Sequence, residues 1–135
     1  MGVRLLSGVL PQFKQNKEGN MIKGTLIKES LSDDQILDFV EVDQVELWKA
    51  ENHTASQPKY WTAILFYANS EEFLNALPNF LADGWYVDLS NHEEKIIVFK
   101  NKVVKYQIGD AAGKQEAIDY CRKIGVPESQ IDWPE

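Results

Sequence analysis

The segment KIIVFKNKVVKYQI, residues 95–108, limits the fold more than any other stretch of the chain. Two runs rich in β-branched and aromatic residues flank Asn101–Lys102, and strand formers on either side of a two-residue connector read as a β-hairpin. Asn101 tolerates the positive φ that a tight hairpin turn demands, Lys102 less well. Registered on that turn, Phe99 faces Val104 and Ile97 faces Tyr106. The apolar side chains of both strands then gather on one face, continued by Ile108. Just upstream, Trp85, Val87 and Leu89 alternate with Tyr86, Asp88 and Ser90, so the whole stretch is expected to be a three-stranded meander.

Periodicity and punctuation give the other elements. MIKGTLIKES, from Met21, alternates as a strand. SDDQILDF reads as a short helix capped by Ser32, with Asp33 and Asp34 at its positive end. VEVDQVELWKA is a strand with a fault. Val40 and Val42 share one phase, Val45 and Leu47 the other, and a bulge at Asp43–Gln44 restores the apolar face. A polar loop follows, Glu51 to Lys59. YWTAILFYA is then apolar in both phases and is expected as a central strand covered on both sides.

NSEEFLNALPNFLADG has the marks of a helix, with Asn69 as cap, Glu72 placed for a capping box and Gly84 as stop. Phe73, Leu74, Leu77 and Leu81 form its buried stripe, and Pro78, which cannot donate a backbone hydrogen bond, should kink or split it. A last helix begins at an Asp110 cap and buries Ala117, Tyr120, Cys121 and Ile124. Gly125 stops it, and Ile131 and Trp133 anchor the tail. This order implies an α+β fold, an antiparallel sheet of about five to six strands with helices packed on one face. Its first six elements match a ferredoxin-like βαββαβ core, with a C-terminal hairpin strand and helix appended.

Residues 1–20 differ from the rest, carrying Arg4, Lys14 and Lys17 against Glu18, with Pro11 interrupting a helix-like apolar pattern. They are read as a leader that is not native to the domain, with Met21 as the natural start. An organelle presequence or a docking arm are the alternatives. Residues 21–135 then form a single domain, long enough to hold one core without a disulfide or metal. A net charge of −7 with no basic patch argues against nucleic acid and anionic membranes as partners. No apolar run approaches the ~20 residues a bilayer span needs. The single cysteine, Cys121, rules out an intramolecular disulfide and fits a reducing compartment, so the expected location is the cytoplasm.

Candidate chemistry is sparse. Metal sites need three or four converging ligands, and the two histidines and one cysteine lie in different elements. His92 with Glu93 and Glu94 is better explained as a solvated turn, so neither a metal nor a cofactor is expected. Asn52-His53-Thr54 fits a glycosylation pattern that a cytoplasmic address makes idle. GDAAGKQ, Gly109 to Gln115, resembles a phosphate loop but has short glycine spacing, and Gln115 stands where Ser or Thr is needed. Cys121 has the position of an inert core thiol. Asp88 is the more interesting carboxylate: among Tyr86 and aliphatic groups it could carry a raised pKa, and His92 is near enough in sequence to share a pocket rim.

The meander's second face carries Ile96, Val98 and Val103 beside Lys105, more apolar than a face left to water normally is. Trp48, Tyr60 and Trp61 are available to extend it. An apolar area rimmed by lysines reads as a contact surface for a second copy of the chain or another protein. Five segments, MIKGTLIKESL, YWT, DGWYVD, VFKNKVVKY and GVPESQIDW, together resemble a group of small uncharacterised prokaryotic proteins. The resemblance runs from Met21 onward and implies no activity, cofactor or site residue. The leading expectation is a non-enzymatic interaction or regulatory module that self-associates through Ile96, Val98, Val103 and Lys105. The alternative is a small enzyme or ligand-binding domain using Asp88, Tyr86 and His92.

Overall fold

The hairpin forms, with its turn one residue earlier than expected. A computed structural model of the chain describes residues 21–91 and 93–134. The leader reading and the candidate His92 lie outside the described residues. Strands β5 (Glu94–Phe99) and β6 (Lys102–Gln107) turn at Lys100–Asn101, where Asn101 takes φ 62°. Phe99 therefore pairs with Lys102, Ile97 with Val104 and Lys95 with Tyr106. This register differs by two residues from the expected one, and because side chains alternate with a period of two, every residue keeps its face. Ile108 falls beyond the strand and is exposed.

The rest of the sheet comprises β1 (Met21–Ile27), β2 (Val40–Lys49), β3 (Tyr60–Asn69) and β4 (Tyr86–Ser90). The order is β2-β3-β1-β4-β5-β6, and every neighbouring pair is antiparallel. β3 is an interior strand but not the middle one. Ile64, Phe66 and Ala68 are buried on one of its faces, while Leu65 and Tyr67 on the other are half-buried.

Helix α1 (Ser70–Ala76) begins where Asn69 Oδ1 accepts from the Glu72 backbone N–H at 3.1 Å. Pro78 splits the segment as expected: the chain passes into a single 3-10 turn, Leu77–Asn79. The short helix between β1 and β2 is also 3-10, Asp34–Phe39. Its cap is Asp33 rather than Ser32, because the Asp33 carboxylate is the group that accepts from Gln35 N–H. Helix α2 (Ala111–Lys123) starts at Asp110, whose Oδ1 accepts from the backbone N–H groups of Ala112 and Gly113. A Cβ at Gly113 would stand 2.4 Å from Tyr106 Cβ, so glycine is what lets α2 lie against β6.

The helices occupy both faces of the sheet, which corrects the expectation of one. Ile96 and Val98 share a core with Phe73, Leu77 and Leu81 from the α1 side. Ile97 and Phe99 share a second core with Ala117 and Cys121 of α2, Val126 and Trp133. Consecutive residues of one strand point to opposite faces, so the two cores lie on either side of β5. The connection after β6 carries α2 back over the sheet face that α1 leaves bare.

This packing removes the anticipated contact surface. Ile96 is 1% exposed and Val98 0%, covered by the chain's own α1 and the turn after it. Val103 is half-buried against the same core, and of the four only Lys105 is exposed. Burying an unpaired carboxylate at Val98 is among the few single changes that cost more than ~4 kcal/mol, a large part of a domain's typical stability. Val98→Glu is therefore expected to unfold the domain, lowering the urea midpoint drastically or leaving no cooperative transition. A Val98→Glu protein with native stability and altered mass by light scattering would restore the surface reading.

Candidate functional site

The two described members of the sequence-level trio, Tyr86 and Asp88, point to the same face of β4, toward α2 and the tail. Asp88 Oδ1 meets Lys95 Nζ at 3.2 Å, with side-chain exposures of 34% and 4%. The lysine is thus nearly removed from water and depends on this carboxylate, since a buried charge without a partner costs several kcal/mol. Tyr86 donates its hydroxyl hydrogen to the Gln130 carbonyl and packs edge-on against Trp133, with ring centroids 5.2 Å apart. Burial raises its pKa well above the ordinary phenol value, and the nearby charges of Asp132 and Asp88 push the same way. A phenol so held keeps its proton, so Tyr86 is a fixed donor to the tail and not a base.

Beside these two residues a cleft of about 660 Å³ opens on the α2 side of the sheet. Three of the chain's four tryptophans, Trp48, Trp61 and Trp85, line it together with Thr25, Asp88 and Gln130. The bulge on β2 makes this possible. Val42 pairs with Phe66 and Gln44 with Leu65, leaving Asp43 unpaired. From there β2 reverses phase, so that Val45 points to the α1 core while Trp48 stands directly across from Trp61 on the opposite face. Were Asp43 paired in a regular strand, with no bulge, Trp48 would share the face of Val40 and Val42.

The indoles are held by their own polar atoms. Trp48 Nε1 donates to Glu46 Oε1 at 2.8 Å, and Gln44 Nε2 donates to Glu46 Oε2 at 2.7 Å. Trp61 Nε1 donates to the Pro58 carbonyl at 2.9 Å. Trp85 packs on Trp61 with centroids 5.0 Å apart and planes at 62°. The β2–β3 loop joins the tail to complete one wall. Gln130 Nε2 donates to the Asn52 carbonyl at 2.8 Å and to Gln57 Oε1 at 2.8 Å, and Asn52 Nδ2 donates to the Ser129 carbonyl at 3.0 Å.

The other candidates are not brought to this cleft. Cys121 is fully buried in the α2 core, and burial pushes its thiol up to about 11, with the Glu128 charge adding to the effect. The Gly109–Gln115 segment is an ordinary helix start, its first turn served by Asp110. His53 sits in the β2–β3 loop with Nδ1 2.9 Å from the Thr54 carbonyl oxygen. Among the described residues no three His, Cys, Asp or Glu side chains converge as metal ligands, and no helix is long and apolar enough to cross a membrane.

Sequence reasoning found the bulge and the three tryptophans but did not combine them. The signal was available, since re-phasing β2 by one residue and pairing it with the next strand puts Trp48 beside Trp61. No protein-family model, curated protein or solved structure matches this chain.

Two outcomes follow from this geometry. Deleting Asp43 removes the unpaired residue and leaves Gln44 opposite Leu65 and Trp48 opposite Trp61 in a regular ladder, so the close proton contacts between the Trp48 and Trp61 indoles should persist in NMR spectra. If those contacts vanish in the deletion variant, Asp43 is more than the extra residue that re-phases β2. Alkaline titration gives the second. The thiol of Cys121 rises from an ordinary 9.0 to about 11 on folding, and the phenol of Tyr86 is raised from 10.0. The folded chain therefore holds protons that the unfolded chain releases. Stability is complete below the unfolded thiol pKa and falls as pH climbs through the folded values. Urea midpoints followed from neutral to alkaline pH should show this decline, with the early part flattened in Cys121→Ala.

Proposed function

We propose that this chain is a binding domain whose cleft, walled by Trp48, Trp61 and Trp85, holds a small or short extended ligand. The observation that carries the reading is the convergence of three indoles from three separate segments on one opening of about 660 Å³. Ligand clefts are mostly apolar, with a few placed polar groups, and fall between roughly 300 and 1,000 Å³. Trp48 is 40% exposed, an unusual expense of apolar surface for a residue whose ring is also tied down through its N–H. Binding rather than catalysis is favoured because Asp88 is committed to Lys95 and Tyr86 retains its proton on the Gln130 carbonyl.

A second reading keeps a protein partner or a second copy of the chain and moves the contact to the end of the β2–β3 hairpin. Leu47 is 70% exposed there and Tyr60 48%, and β2 ends the sheet order. As to ancestry of the fold, the partial order β2-β3-β1-β4 with the short helix and α1 in the two crossovers supports a ferredoxin-like core extended by β5, β6 and α2. A single buried thiol supports a reducing compartment such as the cytoplasm.

The reading is tested by a fragment screen on labelled protein, observed through the indole N–H resonances. Hits should move Trp48, Trp61 or Trp85 while leaving Trp133, which donates to the Tyr106 hydroxyl in the α2 core, in place. Trp61→Ala should weaken such hits by about tenfold or more, the scale of a lost aromatic stacking contact. A broad screen in which nothing moves these three resonances would reject the cleft as a binding site.

A further inference from the structure

Resting on the reading of the cleft as a ligand site, we propose that its ligand is an uncharged saccharide. The first reason is what the indoles offer. The N–H groups of Trp48 and Trp61 are spent on Glu46 and on the Pro58 carbonyl, so these rings present their faces, not hydrogen-bond donors. The face of an aromatic ring is electron-rich and attracts weakly positive hydrogens. The C–H groups on one side of a pyranose ring, polarised by neighbouring oxygens, are such hydrogens.

The second reason is charge. The ionic groups lining the cleft are Lys23, Asp88 and Asp132, with Lys95 seated behind Asp88 at 3.2 Å. Lys95 is paired with Asp88, and the Glu46 carboxylate stands behind Trp48, so the opening has no excess of positive charge to favour an anion. The chain as a whole carries −7, which works against phosphates and nucleotides at longer range. An organic cation would gain from the indole faces but would meet the Lys23 ammonium in the same opening.

The third reason is shape and hydrogen bonding. Trp61 and Trp85 meet at 62°, so they form an angled surface and not the parallel-sided slot that a flat heteroaromatic ring would fill. A puckered ring suits that angle. Around it stand the Thr25 and Ser90 hydroxyls, the Asp88 carboxylate and the Lys23 ammonium. They mix donors with acceptors, and a sugar hydroxyl, which does both, can use either kind.

The test is a titration of the full chain followed by the indole resonances. Neutral probes are glucose, galactose, mannose, N-acetylglucosamine, maltose, cellobiose, lactose and chitobiose. Comparators are glucuronate, glucosamine, choline, adenosine and indole. At least one neutral saccharide should shift Trp48, Trp61 or Trp85 saturably, with disaccharides tighter than their monosaccharides and the charged sugars about tenfold weaker. Trp85→Ala and Thr25→Val should each weaken that binding, with an unmoved Trp133 resonance showing that the fold is intact. Binding of choline, adenosine or indole with no saccharide bound, or equal binding of glucuronate, overturns the saccharide assignment and leaves a ligand cleft standing. If no neutral saccharide and no comparator moves the three indoles, the saccharide assignment falls, and the broader fragment screen decides whether the cleft itself survives.

Discussion

The burial of β5 on both faces is the constraint from which the rest of this architecture follows. Ile96 and Val98 on one side and Ile97 and Phe99 on the other are all essentially removed from water. Each fully buried side chain of this size contributes roughly 1.5–3 kcal/mol relative to an exposed one. A strand of that kind cannot sit under helices on a single face. It requires α1 and its following turn against one side, and α2 with the Val126–Trp133 tail against the other. Even the polar member of the strand obeys, since Lys95 is buried on the α2 side and survives there through Asp88.

The two helical layers do not cover the same strands. The α1 side takes residues from β1 through β5 into its core, whereas α2 packs over β5 and β6. On the α2 side this offset leaves the β1, β2 and β3 portion of the sheet for other uses, and Trp48 and Trp61 stand there. The cleft is thus a product of unequal layers, bordered by β4 on one flank and by the loop and tail on another. Its polar floor, Asp88 and Thr25, belongs to strands whose opposite faces are locked in the α1 core, so the floor is as rigid as the sheet.

Much of this was legible from residues alone where the signal was local. Asn69 and Asp110 cap their helices, Pro78 ends α1, and the clash of phases between Val42 and Val45 announced the bulge. The α+β class and the antiparallel sheet followed from the same local patterns. What failed was the allocation of faces between distant elements. Ile96 and Val98 looked like a surface because nothing in their own neighbourhood says that Phe73 and Leu77, some twenty residues away, will cover them. The hairpin turn slipped to Lys100–Asn101 because a single asparagine permits positive φ at either turn position, and only pairing across three strands decides between them. Tyr86 and Asp88 were found as candidates by composition, yet their partners, the Gln130 carbonyl and Lys95, were not.

The wall formed by Asn52, Gln57 and Gln130 joins residues more than seventy positions apart in sequence. All six strands are made before Gln130 is, and chain synthesis proceeds at ~5–20 residues per second, slowly enough for earlier segments to organise as they emerge. The loop after β2 therefore exists for seconds before the residues of its clasp are made. The opening lined by indoles is thus closed by a segment synthesised after every strand around it, the same segment whose Trp133 completes the second core.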